Sequence, residues 1–255
     1  MNTKISLIRP LIVLLGLFLC VGLSARTLNK AEADTLYSRH HYEQAQQAYA
    51  SLLKQHPKDA TLWYNQGNCY YRLKDIPHAI LCYERAARLN PSDADNRHNL
   101  TLARAQTQDK FYSSSDLDIV YSFRSFLNTF GTDGWAWLSV VALAIALAAI
   151  VVMRFSWSPR TRKVAFAAIL LAGVLVIVFN LFANLQHRKL ADHSAAIVMK
   201  TTPLLSTPDT TGTNLFTLHG GTKLSIRDTT LPAWTEVSLS DGRKGWVANS
   251  SIEPI

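Results

Sequence analysis

The residues of this 255-residue chain that could carry out chemistry are its histidines, cysteines and carboxylates. The eight histidines are scattered, and the adjacent pair His40 and His41 would point its side chains apart on a helix or its exit turn. The sequence contains no phosphate-binding glycine loop, no recognisable serine, histidine and aspartate set, and no paired carboxylates in a glycosidase-like setting. It therefore predicts a protein that is not an enzyme, with no cofactor and no metal site.

The distribution of charge argues against nucleic acid as a partner. Basic residues outnumber acidic ones by 26 to 18, for a net charge of +8. Residues 194–255 nevertheless carry equal numbers of both signs, and in residues 26–115 the signs are interleaved, so no positive stripe is available for phosphates. The mean hydropathy is +0.05 although 17% of residues are charged, which indicates that apolar residues are concentrated in blocks.

The first apolar block is typical of a signal peptide, residues 1–25. Basic residues precede an apolar run, 11–23, that is too short to span a bilayer comfortably. The small residues Ser24 and Ala25 supply a cleavage point. Lipidation at Cys20, against which the bulky preceding residue argues, and an uncleaved anchor are alternatives; either leaves the following segment on the same side of the membrane.

Two further apolar blocks are long enough to cross a bilayer. Residues 134–153 and 164–185 contain no charged side chain and predict a transmembrane hairpin. The loop 154–163 carries four basic residues, so the positive-inside rule places it in the cytoplasm. Both flanking segments then lie on the exported side, with 186–194 as a linker. We interpret Asn180 as a helix-to-helix hydrogen-bonding group; a functional intramembrane group is the alternative.

Residues 111–133 predict an interfacial amphipathic helix and linker. Apolar residues recur there at helical spacing: Leu117, Val120, Phe123, Leu127 and Phe130. Trp135 and Trp137 follow where an aromatic belt would anchor the end of the membrane helix. We expect this helix to lie on the lipid surface, with a partner-binding helix as the alternative.

Residues 26–110 contain an internal repeat with a period of 34 residues. Its markers are Ala45, Tyr49 and Pro57 in the first copy and Trp63, Gly67, Tyr70, Ala79, Tyr83, Ala86 and Pro91 in the second. This array resembles the tetratricopeptide repeat, in which small residues let two antiparallel helices approach closely and prolines end the second helix. Residues 94–106 then predict a final helix that covers the second repeat.

The resemblance to tetratricopeptide repeats implies a concave groove that binds a protein segment. The groove positions that it implies are Lys30, Asp34 and Tyr37 in the first repeat and Tyr64, Asn68, Tyr71 and Arg72 in the second. A purely structural role is the alternative for each; Tyr71 would then pack between repeats, and Arg72 would be a solvated helix end.

Cys69 and Cys82 fall in adjoining helices of the second repeat. An exported compartment permits a disulfide between them. Since helix-internal positions rarely satisfy disulfide geometry, we expect buried free thiols instead.

From residue 194 onward the pattern changes to short strands. β-rich runs at 196–199, 223–227, 234–239 and 245–248 are separated by segments rich in proline and glycine. A further set of residues gives 195–255 its resemblance to the bacterial SH3-like (SH3b) domain, an all-β barrel: Pro203, Leu204, Leu205, Ser206, Pro208, Leu215, Phe216, Leu218, Gly220, Gly221, Thr222, Lys223, Leu224, Trp234, Val237, Asp241, Gly242, Gly245, Trp246 and Val247.

Two glycines of this segment and two aromatic residues have expected roles. Asp241 with Gly242 predicts a two-residue hairpin, and Gly245 allows a close approach of strands. The SH3-like resemblance implies peptide or cell-wall peptide binding on an aromatic groove, for which Phe216 and Trp246 are the candidates, with a core role as the alternative.

The fold class predicted overall is a multidomain membrane protein: an all-α tetratricopeptide solenoid, a two-helix transmembrane hairpin and an all-β SH3-like barrel. This order of domains resembles the BatE proteins of bacterial aerotolerance (Bat) operons. The resemblance implies a multi-pass inner-membrane scaffold with both soluble modules in the periplasm. It also implies partners: von Willebrand A-domain membrane proteins, a MoxR-type ATPase system and membrane lipid. The alternative function is a cell-wall sensor that binds peptidoglycan peptide through the SH3-like domain.

Overall fold

The computed structural model of the protein describes residues 29–110, 123, 126–191 and 194–255. The predicted signal peptide and residues 111–122 of the predicted interfacial helix lie outside the described residues. We call residues 29–110 the repeat domain and residues 194–255 the sheet domain.

The repeat domain is a stack of antiparallel helices in which each helix contacts the next. Its helices are α1 (Lys30–Ser38), α2 (Tyr42–Gln55), α3 (Ala60–Arg72), α4 (Ile76–Leu89) and α5 (Ala94–Ala105). Four of the five begin after an Asn or Asp whose side chain accepts a hydrogen bond from a first-turn N–H. Such caps satisfy N–H groups that a helix leaves unpaired at its start; they are Asn29, Asp59, Asp75 and Asp93.

The turns inside the two repeats have the same backbone geometry 34 residues apart. His40 and Lys74 both adopt left-handed conformations, with φ of 63° and 65°. Their N–H groups donate to the carbonyls of Tyr37 and Tyr71, at 3.0 and 3.2 Å. The period seen in the sequence is therefore also a period of the hydrogen-bonded backbone.

The marker residues take the places that close helix packing requires. Ala45, Tyr49, Ala79, Tyr83 and Ala86 are buried. Gly67 is also buried, between α3 and α4. Trp63 and Tyr70 are half-buried, and Pro57 and Pro91 each lie two residues beyond the end of α2 or α4.

Helices α6 (Thr132–Phe155) and α7 (Pro159–Ala191) pack against each other as a hairpin, and both are long and apolar enough to cross a membrane. They extend past the predicted spans, and only residues 156–158 separate them. Three of the four basic residues of the predicted loop 154–163 thus lie in the first turns of α7. The helices are longer than the predicted spans because an uncharged run indicates only the part of a helix that hydrocarbon would cover. Flanking charged residues do not end a helix.

A polar contact and a shared carbonyl hold the hairpin together. Asn180 Nδ2 donates to Ser139 Oγ at 2.6 Å, in agreement with the helix-to-helix interpretation. The Leu127 carbonyl accepts hydrogen bonds from Trp135 Nε1, at 3.0 Å, and from Gln186 Nε2, at 2.6 Å. The start of α6 and the C-terminal part of α7 are therefore both hydrogen-bonded to the residues that precede α6.

Trp135 does not belong to a lipid-facing belt. It is 1% exposed and lies among aromatic rings at centroid distances of 5.0 to 5.8 Å: Phe126, Phe130, Phe179 and Phe182. Trp137, on another face of α6, is 70% exposed. The residues preceding α6 fold back on the hairpin and bury the first indole, which the spacing of apolar residues did not indicate.

The sheet domain is a seven-stranded antiparallel sheet with the order β3-β2-β6-β5-β4-β1-β7. Its strands are β1 (Ala195–Val198), β2 (Thr202–Leu205), β3 (Asn214–Leu218), β4 (Lys223–Asp228), β5 (Trp234–Ser238), β6 (Lys244–Ala248) and β7 (Ile252–Pro254). Its core consists of apolar residues from six strands and one turn: Val198, Leu204, Leu218, Leu224, Val237, Leu239 and Val247, with Ile252 at the margin.

The two glycine predictions for this domain had different outcomes. A Cβ on Gly245 would lie 2.7 Å from Leu204 Cγ, so the strands do approach closely there. The β5–β6 turn is not a two-residue hairpin. Leu239 N–H donates to the Arg243 carbonyl and Gly242, at φ 91°, donates to the Leu239 carbonyl, a three-residue loop whose last position needs glycine.

The sheet domain packs directly on the repeat domain. Ile197 of β1 and Ile255 share one buried cluster with Ile80 and Tyr83 of α4 and Leu100 of α5. The turn before β4 lies against the start of α4, where Pro77 Cγ would be 2.7 Å from a Cβ on Gly220. The apolar core of the second repeat is thus completed by strands that follow the hairpin in sequence.

Ionic contacts surround this shared core. The Glu84 carboxylate of α4 pairs with Arg104 and with Lys223 Nζ of β4, the latter at 2.8 Å. Arg85 Nη2 donates to Glu253 Oε1 at 3.0 Å and to the Pro254 carbonyl at 2.7 Å. Burial by itself raises the pKa of Glu84, but the two cations more than compensate, so its pKa lies below the ordinary value.

The predicted fold class is confirmed: a helical repeat region, two apolar helices and an antiparallel sheet domain. The packing of the sheet domain on the repeat domain is additional to that prediction. Because of this packing, residues that precede the hairpin and residues that follow it in the sequence belong to one folded unit.

Candidate functional site

A pocket of about 350 Å³ opens on the concave side of the repeat domain. We call it the tyrosine groove; its lining residues are Tyr37, Tyr64, Asn68, Tyr71, Arg72, Tyr83, Asn99 and Leu102. They come from α1, α3, α4 and α5, so the groove is built by packing between helices. Five of the eight are positions that the sequence analysis placed in the groove.

Helix α3 supplies half of the lining. Tyr64, Asn68, Tyr71 and Arg72 have the spacing i, i+4, i+7 and i+8, which puts them on one face of a helix. The opposite face of α3 packs into the repeat core through Leu62 and Cys69. Burial of that face orients the groove residues toward the concave side.

Asn68 is the centre of a hydrogen-bond network across the groove. Its Oδ1 accepts from the Tyr83 hydroxyl at 2.7 Å and from Asn99 Nδ2 at 2.9 Å. Asn99 Nδ2 also donates to the Tyr64 hydroxyl oxygen, at 3.1 Å. Both acceptor sites of the Asn68 carbonyl are thereby used, and its amide N–H groups make no hydrogen bond within the described part of the chain.

The two ends of the groove are fixed by further bonds. Gln106 Nε2 donates to the Tyr71 hydroxyl oxygen at 2.5 Å. At the other end, the hydrogen bond between Arg72 and Tyr37 raises the pKa of the exposed guanidinium, which is therefore a cation at any physiological pH. Burial raises the pKa of the Tyr83 phenol, so that hydroxyl stays protonated and donates to Asn68.

The groove presents more hydrogen-bond donors than acceptors. Tyr64 and Tyr71 accept bonds from amides, which leaves their own O–H groups directed to other acceptors. With the Asn68 amide and the Arg72 guanidinium, these donors favour a ligand rich in carbonyl or carboxylate oxygens.

Two predicted groove residues, Lys30 and Asp34, do not line the tyrosine groove. Lys30 Nζ donates to Asp34 Oδ2 at 2.7 Å, and the Tyr49 hydroxyl donates to Asp34 Oδ1 at 2.5 Å. Burial raises the pKa of Asp34, but these bonds outweigh it and leave the pKa below its usual value. Asp34 thus ties α1 to α2, and its contacts are structural.

Three lining residues were not predicted for the groove. Tyr83 was assigned to the repeat core, and its ring is buried there while its hydroxyl reaches Asn68. Asn99 and Leu102 belong to α5, which was predicted only as a covering helix. The 34-residue period could have indicated Leu102, which follows Asn68 by 34 positions. It could not have indicated Asn99, because the residue one period earlier, Asn65, does not line the groove.

The predicted ligand residues of the sheet domain lie on strands that are not adjacent. Phe216 lies in β3 and Trp246 in β6, and β2 lies between these strands. Both side chains are half-buried. The guanidinium of Arg243 lies over the Phe216 ring, 4.4 Å from its centroid.

The two cysteines within the described residues offer no reactive site. Cys69 and Cys82 are buried and free. Burial raises the pKa of Cys69 to about 12 and also raises that of Cys82, so both remain thiols. Within the described ranges, no cluster of three or more His, Cys, Asp or Glu side chains could hold a metal ion.

Comparison with known families agrees with the groove geometry. Residues 30–94 match the tetratricopeptide repeat family. The match runs from α1 to the first residue of α5, so the repeats proper contribute Tyr37, Tyr64, Asn68, Tyr71, Arg72 and Tyr83 to the groove. Asn99 and Leu102 lie beyond it, on the helix that follows the tetratricopeptide repeats. A comparison with curated proteins found no match to this chain.

The tetratricopeptide packing around the groove can be tested at Gly67. A Cβ there would lie 2.7 Å from Cδ1 and Cε1 of the Tyr83 ring. We expect Gly67→Ala to lower the free energy of unfolding by about 1–3 kcal/mol, because a well-packed ring must move. Thermal unfolding of the purified full chain measures this. Gly173→Ala is the matched control, since nothing lies within 4 Å of that site; equal stability of the two variants would contradict the contact.

Proposed function

We propose that this protein is a membrane-anchored adaptor, not an enzyme, that binds an extended segment of a partner protein in the tyrosine groove. The observation that carries the proposal is the groove's donor-rich surface, centred on Asn68 and set between helices of matched tetratricopeptide repeats. Repeats of this kind generally bind protein segments, and this pocket contains no chemically reactive group.

The hydrogen-bonding character of the groove selects the kind of segment. The donors it offers a ligand are the Asn68 amide, the Tyr64 and Tyr71 hydroxyls and those N–H groups of the Arg72 guanidinium that Tyr37 does not engage. An extended peptide with exposed carbonyls and at least one carboxylate satisfies them, whereas a basic segment would meet Arg72 with like charge. The tyrosine rings add apolar contact area on either side of the chain.

The same proposal places both soluble modules on one side of a membrane. Residues on either side of the hairpin share a buried cluster, which requires an even number of crossings between them. The four basic residues at the α6–α7 turn favour the cytoplasm for that turn. The repeat domain and the sheet domain then lie in the periplasm of a bacterial inner membrane.

The order of domains supports a place among Bat-type aerotolerance proteins. In that setting the partners are von Willebrand A-domain membrane proteins and, through them, a MoxR-type ATPase system of an envelope stress complex. The resemblance of the whole domain order to BatE proteins supports this assignment.

A second candidate function is cell-wall sensing by the sheet domain, which resembles SH3-like domains. The cation–π pair of Arg243 and Phe216 and the neighbouring Leu215, 51% exposed, offer an apolar and cationic surface on the edge strand β3. Saturable binding of the full chain to purified cell wall, lost on Phe216→Ala in a folded variant, would favour this function.

The groove is tested by crosslinking in the membrane. A photoreactive amino acid at Leu102, which is 43% exposed, should capture the partner in intact cells. We expect Arg72→Glu to reduce capture roughly tenfold by repelling an acidic segment. Lys58→Glu, the same charge change at an exposed turn outside the groove, is the control. Equal loss with both variants, or capture unaffected by either, would contradict groove binding.

The topology is tested with paired reporters. A reporter that is active only in the periplasm should be active when fused after Ile255 and inactive when inserted at Trp157, in the α6–α7 turn. The reverse pattern would sink the periplasmic assignment, and activity at both sites would show that the hairpin does not cross the membrane.

A further inference from the structure

Helix α5 is a wall of the tyrosine groove. Asn99 and Leu102 line the pocket, and Gln106, at the end of the helix, binds the Tyr71 hydroxyl. The position of α5 relative to α3 therefore sets the width of the groove and the distance between its donors.

The same helix is attached to the sheet domain at its C-terminal end. Arg104 binds the Glu84 carboxylate, whose other oxygen accepts from Lys223 Nζ at 2.8 Å. The Glu84 side chain is 8% exposed, so it bridges α4, α5 and β4 from a largely buried position. Removing one partner of such a carboxylate leaves a buried charge incompletely compensated.

The residues that follow α5 make a second attachment. Asp109 accepts hydrogen bonds from the His219 N–H and the Thr222 hydroxyl, both at 2.7 Å, and its side chain is 4% exposed. Burial raises the pKa of Asp109, but these bonds and the His219 ring outweigh it, so the pKa lies below its usual value. Thr107 lies beneath Gly221, where a Cβ would meet its Cγ2 at 2.8 Å.

One short stretch of chain thus has two sets of contacts. Asn99, Leu102 and Gln106 contact the groove, whereas Arg104, Thr107 and Asp109 contact the sheet domain or its ion-pair partner. We propose that the sheet domain positions α5 and thereby sets the geometry of the tyrosine groove, so that release of the sheet domain weakens binding there.

This inference rests on the proposed function only in naming the groove as the partner site. Its consequence is reciprocal, because coupling between two sites acts in both directions. A partner that holds the groove closed would strengthen sheet-domain docking, and a ligand that pulls the sheet domain away would lower groove affinity. Glu84 and Asp109 are positioning residues in this arrangement.

The competing account is that α3 and α4 hold α5 without the sheet domain. Leu100 and Ala103 of α5 are buried against α4, and Asn96 Nδ2 donates to the Tyr83 carbonyl at 3.0 Å. If these contacts suffice, loss of the sheet-domain contacts leaves α5 as stable as before. The two accounts therefore differ in what happens to α5 when only sheet-domain residues are changed.

The test is amide hydrogen exchange of the full chain in detergent, which needs no partner. The double variant Lys223→Glu, Thr222→Val places a carboxylate beside Glu84 and removes the hydroxyl from Asp109 without altering α5. We expect the amides of 94–105 to exchange at least about tenfold faster, while those of α1 and α2 keep their rates. Lys244→Glu, the same reversal at an exposed position of β6, should leave all of these rates unchanged.

A disulfide that holds the sheet domain on α4, called the lock, distinguishes the effect of losing this domain contact from other effects of the substitutions. A Cβ on Gly220 would lie 3.7 Å from Pro77 Cβ, a separation that suits a disulfide. Adding Pro77→Cys and Gly220→Cys to the double variant should restore slow exchange in 94–105 when oxidised and lose it again on reduction. If the double variant unfolds the sheet domain, shown by fast exchange in β5 and β6, the single variant Lys223→Glu replaces it.

Unchanged exchange in 94–105 when the sheet-domain contacts are removed would overturn the proposal, as would fast exchange that the oxidised lock does not reverse. Because the measurement contains no partner, its outcome is independent of whether the groove binds an acidic segment. Loss of crosslinking at Leu102 with normal coupling would instead count against the proposed function alone.

Discussion

The carboxylate of Glu84 connects the two domains that the hairpin separates in the sequence. It is buried, ionised by the charges of Lys223 and Arg104, and shared by α4, α5 and β4. Its partner Lys223 lies 139 residues away, beyond the whole hairpin. Since an ionised group in this position requires both cations, the repeat domain and the sheet domain must meet. That contact in turn requires the hairpin to return the chain to the side from which it came.

The groove depends on the same packing. Its floor and one side come from tetratricopeptide helices whose close approach Gly67 permits, and its other side comes from α5, which contacts the sheet domain. The amide of Asn68 and the hydroxyls of Tyr64 and Tyr71 are fixed by neighbours that use their acceptors and leave their donors. The polarity of this groove complements a segment rich in carbonyl or carboxylate oxygens.

The sequence predicted the parts of the fold that leave a periodic pattern or a continuous apolar run. A 34-residue period located the helices, and uncharged runs located α6 and α7. The resemblance to tetratricopeptide repeats implied Tyr64, Asn68, Tyr71 and Arg72 as groove positions. Leu102 was missed because the period was not extended into α5, and Asn99 was missed because no groove residue lies one period before it. The sequence showed no sign of the Glu84–Lys223 pair or the shared core with Ile197, since such contacts between distant segments have no local pattern.

Trp135 was misplaced for a related reason. Its position at a helix end predicted an interfacial residue, but contacts with aromatic residues distant in sequence bury it. Strands β2 and β7 were missed because short runs with Pro203 or Pro254 resemble loops. Strand β3, which contains no proline, was missed as well.

The central claim is that the repeat domain and the sheet domain form one rigid unit. Pulsed dipolar spectroscopy measures this directly, with spin labels at Thr61→Cys in α3 and Thr230→Cys in the sheet domain, both exposed sites. Cys20 is replaced by serine, and the buried Cys69 and Cys82 stay unlabelled. A reference pair at Thr61→Cys and Thr101→Cys lies within the repeat domain. The account predicts a single distance distribution between the domains as narrow as that of the reference pair; a broad distribution would contradict it.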